Sequence, residues 1–228
     1  MQQRVDVERN FWDSFAGRYD RFIDRRLSVT YTAIVDRLHR DTEATKELLE
    51  LGTGTGIIAL QLHDRVPRIT ATDISPEMIR IAEEKRRRQE IENVRFRVGD
   101  CCELDFPDRS FDTVIASNVL HLLMRPDLAM QEMYRILKEG GRLIVPTYCH
   151  GDSLKSHLFS RLMGTVGFRA RTRWSIQSFR NFIKQNGFQI NRDEIFDDII
   201  PMVYPVAIKR SQSAESTSGE ANDNGENV

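Results

Sequence analysis

The chain has 228 residues, a size at which one hydrophobic core can still grow without splitting, so a single domain with extensions is expected. A hydrophobic fraction of 40% with 8% aromatic residues exclude a wholly disordered chain. Thirty-three Lys and Arg against thirty-four Asp and Glu leave a formal charge of -1, so no global field marks nucleic acid or a membrane surface as the partner. Cys101, Cys102 and Cys149 form neither a zinc spacing nor an even disulfide set, which points to a reducing compartment. The N-terminus has no apolar leader core, and no stretch approaches the roughly 20 apolar residues of a membrane span. A soluble, cytoplasmic protein is the expectation.

Residues 1–45 read as an N-terminal helical cap. Phe11, Phe15, Tyr19 and Phe22 recur at helical steps, and a second helix is expected over 29–39. From residue 46 to 210, short β-rich runs alternate with longer helical ones, the signature of parallel strands joined by crossovers. Strands are expected at 47–51, 68–73, 94–98, 113–117 and 142–147, with helices at 56–64, 76–89 and 127–137 between them. In the second of these helices Ser75 suits the cap and Pro76 the first helical position. A helical lid insertion follows at 150–174, where Leu154, Leu158, Leu162 and Val166 recur every four residues. That face reads either as ordinary packing on the core or as a greasy acceptor pocket or peripheral lipid contact. A helix over 175–186, stopped by Gly187, then leads to strands at 188–196 and 203–209 that can pair antiparallel. The fold class is therefore α/β, with a doubly wound, mostly parallel seven-stranded sheet. Residues 211–228 carry four acids and no base and read as a disordered acidic tail; removing its -4 from the total of -1 leaves the body at +3.

The strongest local signal is LELGTGTG, residues 49–56, at a strand-to-helix turn where glycines let a backbone approach a ligand closely. The dinucleotide pattern G-x-G-x-x-G would need glycine at position 57, where Ile57 stands, and no G-K-[ST] follows. Asp73 opens ATDISPEM at the tip of the second strand, placed to accept ribose hydroxyls. Asp100 follows the third strand in FRVGDCCEL, so Glu50, Asp73 and Asp100 stand at three successive strand tips. Any one alone is equally well a helix cap or a solvated loop charge; their recurrence at one sheet edge points to a ligand.

With VGDCCELDFPDRSFDTVIASNVLHLL and MYRILKEGGRLIVPTY added, residues 49–148 resemble a class I S-adenosylmethionine-dependent methyltransferase, a Rossmann-like fold. Including FWDSFAGRYDRF, the chain is most similar to the branch containing quinone-biosynthesis and phospholipid N-methyltransferases. The resemblance implies S-adenosylmethionine as cofactor. It implies that Glu50 and the turn Gly52, Thr53, Gly54 and Gly56 hold the methionine portion, and that Asp73 holds the ribose. Ile74 would pack on the adenine, Asp100 and the Cys101 amide would bind the adenine edge, and Ser117 would lie beside the methionine end.

Methyl transfer is an in-line displacement, in which a protein contributes alignment, exclusion of water and sometimes a base. His121, after the fourth strand, and Tyr19, on the covering helix, are the catalytic candidates; His121 is equally readable as a packed loop residue. The histidines at 39, 63, 121, 150 and 157 make no metal-ligand spacing, so no metal is expected. Arg169, Arg171 and Arg173 could meet phosphate, but a solvated basic turn is the commoner reading and no RNA-binding module accompanies them. A small-molecule acceptor, with no obligate protein partner and no nucleic acid, is the resulting expectation. A cofactor-binding regulatory protein without transfer activity and an NAD-dependent oxidoreductase are the alternatives.

Overall fold

Leu48, Leu49 and Leu51 form a near-continuous apolar run, the pattern of a strand covered on both faces. A computed structural model describes residues 2–26, 28–149, 171–196 and 201–210. In it that run is β1 (Glu47–Leu51), at the centre of the sheet. Before it come α1 (Gln2–Arg26) and α2 (Ser28–Asp41); after it come α3 (Ile57–Gln61), β2 (Arg68–Asp73), α4 (Pro76–Arg88) and β3 (Val94–Val98). Then follow β4 (Phe111–Ile115), a 3-10 turn (Leu120–Leu122), α5 (Pro126–Ile136), β5 (Leu137–Ile144), β6 (Thr147–Tyr148), α6 (Ile176–Gln185), β7 (Phe188–Phe196) and β8 (Met202–Lys209).

The strands β3, β2, β1, β4 and β5 lie side by side in that order and run parallel. β8 joins β5 antiparallel, and β7 pairs antiparallel on its other side. The sheet is eight-stranded rather than seven-stranded, because Pro146 interrupts β5 and the chain resumes as β6, with Thr147 opposite Val203. The seven expected strands are all present, four with the ends expected and three with shifted ends. The fourth begins at Phe111, and the fifth starts at Leu137 because the Lys138–Gly141 run stays in the strand, Gly140 adopting a φ of 70°. The first helix after β1 has only five residues, against the 56–64 expected; Val66 precedes Pro67, which favours extended backbone and returns the chain to β2.

Helices cover both faces. On one, Met130, Met133 and Ile136 of α5 and Phe179 and Ile183 of α6 pack with Val114 and Leu143. On the other, Ile34 and Leu38 of α2, Ile58 and Leu60 of α3 and Ala82 of α4 pack with Leu48, Ile69 and Tyr204. Local chemistry agrees with this placement. The Ser75 Oγ accepts from the Met78 amide at 3.1 Å ahead of Pro76, the Ser175 Oγ accepts from the Ser178 amide at 3.1 Å, and Gly187 ends α6 with a φ of 88°. Most of the expected lid and the acidic tail fall outside the described residues. The flanks of the lid are held, however: the Cys149 amide donates to Pro201 O at 2.8 Å, and the Arg171 and Thr172 amides donate to His121 O at 2.9 and 3.1 Å.

Phe179 is fully buried between α6 and the sheet and stacks near Trp174. Phe179→Ala should lower unfolding stability by about 3–5 kcal/mol, read from the urea midpoint at unchanged slope.

Candidate cofactor site

Sheet order reverses at β1, whose neighbours β2 and β4 are reached by crossovers in opposite directions; in open parallel sheets ligands bind beyond the carboxyl ends of strands at such a point. The residues there begin with Glu50, 2% exposed, whose Oε2 accepts from the Thr53 hydroxyl at 2.7 Å and the Ala59 amide at 3.0 Å. This one carboxylate ties the end of β1 to the start of α3. Between them Gly52, Gly54 and Gly56 take φ values of 64°, 56° and 79°, a region L side chains rarely adopt. A Cβ on Gly52 would lie 2.3 Å from Val119 Cγ2, beyond β4, and one on Gly56 would lie 2.6 Å from Phe96 Cζ of β3, so these side chains close over the turn.

Asp73, 8% exposed at the end of β2, accepts from the Gly54 amide at 2.8 Å and the Ser75 amide at 2.9 Å, one on each oxygen. Each oxygen keeps a further lone pair for a hydroxyl donor. Burial pushes the Glu50 carboxyl up to about 8, against the lowering effect of Thr53 and Ala59. It pushes Asp73 up to about 6, against the Ser75 and Gly54 amides. Ile74 is half-buried beside it. Asp100 follows β3, with its Oδ1 accepting from the Cys102 amide at 3.0 Å and its carboxylate paired with the Arg4 guanidinium. Cys101 and Cys102 are buried, and their mutual hydrogen bond and burial hold the Cys101 thiol well above the ordinary range. The Asp100, Cys101 and Cys102 ligand atoms lie within 4.8 Å of one another, but the cation already facing them is Arg4.

Tyr19, Tyr31, Glu50, Gly52, Thr53, Ile57, Ile58 and Ser117 line a cleft over the turn. Tyr19 lies against Gly54, 3.3 Å from where a Cβ would stand, and its hydroxyl is 3.1 Å from that of Tyr31. Burial raises both phenols, so both stay neutral hydrogen-bonding groups. The Ser117 hydroxyl is buried with no hydrogen bond among the described residues. Asn118, next to it, takes a φ of 57°, a conformation asparagine tolerates. His121 is buried in the 3-10 turn beyond, outside the lining of this cleft. The sequence reading missed Tyr31, although Tyr31, Ile34 and Leu38 follow one helical stripe and all are buried.

The carboxyl edge thus joins Glu50, Gly52, Thr53, Gly54, Gly56 and Asp73 through hydrogen bonds and turn contacts, with Ile74 and Ser117 beside them and Asp100 and Cys101 just beyond β3. Residues 49–145 match a family of methyltransferase domains. The chain is 30% identical over 183 residues to a ubiquinone/menaquinone biosynthesis C-methyltransferase of Geotalea daltonii, covering 73% of this chain and 76% of that one. The chain belongs to the class I S-adenosylmethionine-dependent methyltransferases.

A demethylmenaquinone methyltransferase of Porphyromonas gingivalis is 33% identical over 145 residues, 59% of this chain and 57% of that one. The chain spans between 47% and 61% of the length of five curated relatives, four of them demethylmenaquinone methyltransferases and one a malonyl-[acyl-carrier protein] O-methyltransferase. The magnesium protoporphyrin IX methyltransferase of Synechocystis PCC 6803, solved with bound SAH, shares the fold at a TM-score of 0.73 and 18% identity, covering 90% of this chain and 99% of that one. The residues of this edge fit the family's cofactor chemically: buried acids can accept from an ammonium or from hydroxyls, Gly52 and Gly56 leave no room for a Cβ, and the buried Ser117 hydroxyl has no hydrogen bond among the described residues.

The raised Glu50 has a consequence for stability. The unfolded carboxyl loses its proton near the ordinary value of 4.5 while the folded one holds it to about 8, so stability falls as pH rises across that window. Glu50→Gln keeps an acceptor for Thr53 and Ala59 and removes this loss. Its Tm should match wild type at pH 4 and exceed it increasingly toward pH 8, by roughly 2–4 °C per kcal/mol relieved; scanning calorimetry across that range reads the gap.

Proposed function

We propose that this protein transfers a methyl group from S-adenosylmethionine to a small-molecule acceptor of apolar character. The observation that supports the reading is the acid-tipped edge itself, Glu50 and Asp73 buried around a turn whose Gly52 and Gly56 leave no room for a Cβ. Glu50 and the turn from Gly52 to Gly56 hold the methionine portion, Asp73 the ribose hydroxyls, and Ile74 a face of the adenine. Asp100 and the Cys101 amide take the adenine edge, and Ser117 the methionine end. The bound cofactor supplies an electrophilic methyl on a sulfonium. The chain supplies alignment and a dry cleft, for which the aromatic stack of Phe11, Trp12, Phe15, Tyr19 and Phe22 on α1 is suited.

The names of the two relatives above support an acceptor of quinone type, and the four-residue apolar period over 154–166 supports a greasy one, with peripheral lipid contact as its extension. His121 remains the candidate base, and Tyr19 the candidate hydroxyl over the turn. No described helix is long and apolar enough to cross a membrane, and the three cysteines are free, which supports a cytoplasmic setting. We divide the chain into the 1–45 cap, the 46–210 transferase domain and the 211–228 tail.

Isotopically labelled S-adenosylmethionine, incubated with the protein and a broad panel of small molecules in chelator, should yield a labelled product. Binding without any transfer across the panel would favour a regulatory protein, and binding lost in chelator would reverse the metal-free expectation. Asp73→Ala should weaken the cofactor by about 1.5–3 kcal/mol, roughly tenfold to a hundredfold, more than it slows saturated turnover. Tyr19→Phe keeps the ring packing and loses one hydroxyl. Turnover should fall while cofactor affinity, measured by calorimetry, barely changes; wild-type turnover would leave Tyr19 a packing residue.

A further inference from the structure

Neighbouring residues of an extended strand face opposite sides, so two cysteines in succession there cannot serve one ligand. Cys101 and Cys102 escape this because they are the two central residues of a tight turn. The Glu103 amide donates to Asp100 O at 3.1 Å, and Asp100 and Glu103 close the turn as an isolated bridge. Within it the two thiols hydrogen-bond to each other, and a carboxylate oxygen of Asp100 joins them, the three ligand atoms lying within 4.8 Å of one another. Neither sulfur is in a disulfide, and each residue keeps 9% of its surface exposed, so the pair can be reached from outside. Cys102 Sγ donates to Arg125 O at 3.5 Å and lies 3.6 Å from an Arg4 guanidinium nitrogen. Cys149 is a contrast: fully buried after β6, it donates to Thr147 O at 3.8 Å and stands outside this group.

Thiols with a carboxylate are a donor set for soft divalent ions. Here, however, the Asp100 carboxylate already holds the Arg4 guanidinium, and a dication beside it would meet that charge at close range. A ligand that binds the two sulfurs alone and brings no charge meets no such opposition. Trivalent arsenic in its neutral hydroxide or oxide form has that chemistry.

We propose that Cys101 and Cys102 form a chelating dithiol site for trivalent arsenic, taken up as arsenous acid or as an organic arsenical. Each thiol gives its proton to one hydroxyl of arsenous acid, and two water molecules leave. Two S–As bonds replace two As–O bonds, arsenic keeps its third hydroxyl, and nothing is oxidised or reduced. From an organoarsenic oxide the single oxygen leaves as one water. The step is neutral throughout, so Arg4 keeps Asp100. The hydrogen bonds given up, between the thiols and from Cys102 to Arg125 O, are weak ones because sulfur is a poor donor and acceptor. The turn also carries the adenine edge assigned to Asp100 and the Cys101 amide, so an arsenical there competes with S-adenosylmethionine. That competition rests on the cofactor reading; the dithiol site does not.

Phenylarsine oxide, added to the reduced full chain after removal of reductant, should give one adduct per chain with loss of one water, read by intact mass. Cys101→Ser and Cys102→Ser should each lose the adduct, and Cys149→Ser should keep it. Because the folded turn presents both thiols together, the reagent should raise the Tm of wild type and leave that of Cys102→Ser unchanged. No adduct on wild type, an adduct that survives Cys102→Ser, or a Tm that stays level or falls overturns the site. Calorimetric titration should then show S-adenosylmethionine affinity lowered about tenfold or more in the adduct, and unaffected by the reagent in Cys102→Ser. An adduct with those properties and undiminished S-adenosylmethionine affinity would keep the dithiol site and sink the placement of the adenine at this turn instead.

Discussion

A desolvated carboxylate at the end of the central strand organises this molecule. Glu50 cannot reach water, and the two donors that satisfy its Oε2 come from the glycine turn and from α3. A five-residue helix cannot sustain itself by its own hydrogen bonds. α3 is held by that bond and by Ile58 and Leu60 beneath it. The turn in turn needs its glycines, because Val119 from beyond β4 and Phe96 from β3 fill the space where side chains would project. Fold and site are the same set of contacts seen from two sides.

The same arrangement sets the electrostatic character of the edge. Glu50 and Asp73 are raised by burial, so each holds its proton longer than a solvated acid, and a cation or donor that reaches it favours the charged form. The chain meets part of that demand from its own N-terminal helix, with Arg4 at the β3 end and Lys85 bracing Asp20 at the β1 end. An aromatic stack along α1 supplies the apolar area that keeps the helix seated between those polar contacts.

The alternation of apolar runs and helical stripes made the parallel sheet legible in the sequence, and the acids at 50, 73 and 100 were legible because strand ends are predictable from strand starts. The caps at Ser75 and Ser175 were legible for the same local reason. What was hidden depended on distant partners. The strand expected over 142–147 is broken at Pro146, and β6 beyond it is set by pairing with β8. The KEGG run looked like a turn yet stays in β5, where Lys209 Nζ donates to Leu137 O at 2.8 Å and lies over the Tyr134 ring. Tyr31 carries a helical period that marks it as buried but not what its hydroxyl meets. The placement of α1 over the strand tips rests on pairs as remote as Arg4 and Asp100, which no local pattern encodes.

The flanks of the 150–170 segment are pinned to the body by backbone groups, Cys149 to Pro201 on one side and Arg171 and Thr172 to His121 on the other. Backbone anchors are indifferent to the side chains they carry, and lengthening a closed segment costs only about 0.6 kcal/mol per doubling. A proline at 149, 171 or 172, with no N–H to give, would therefore cut a tie that other residues at those positions keep available.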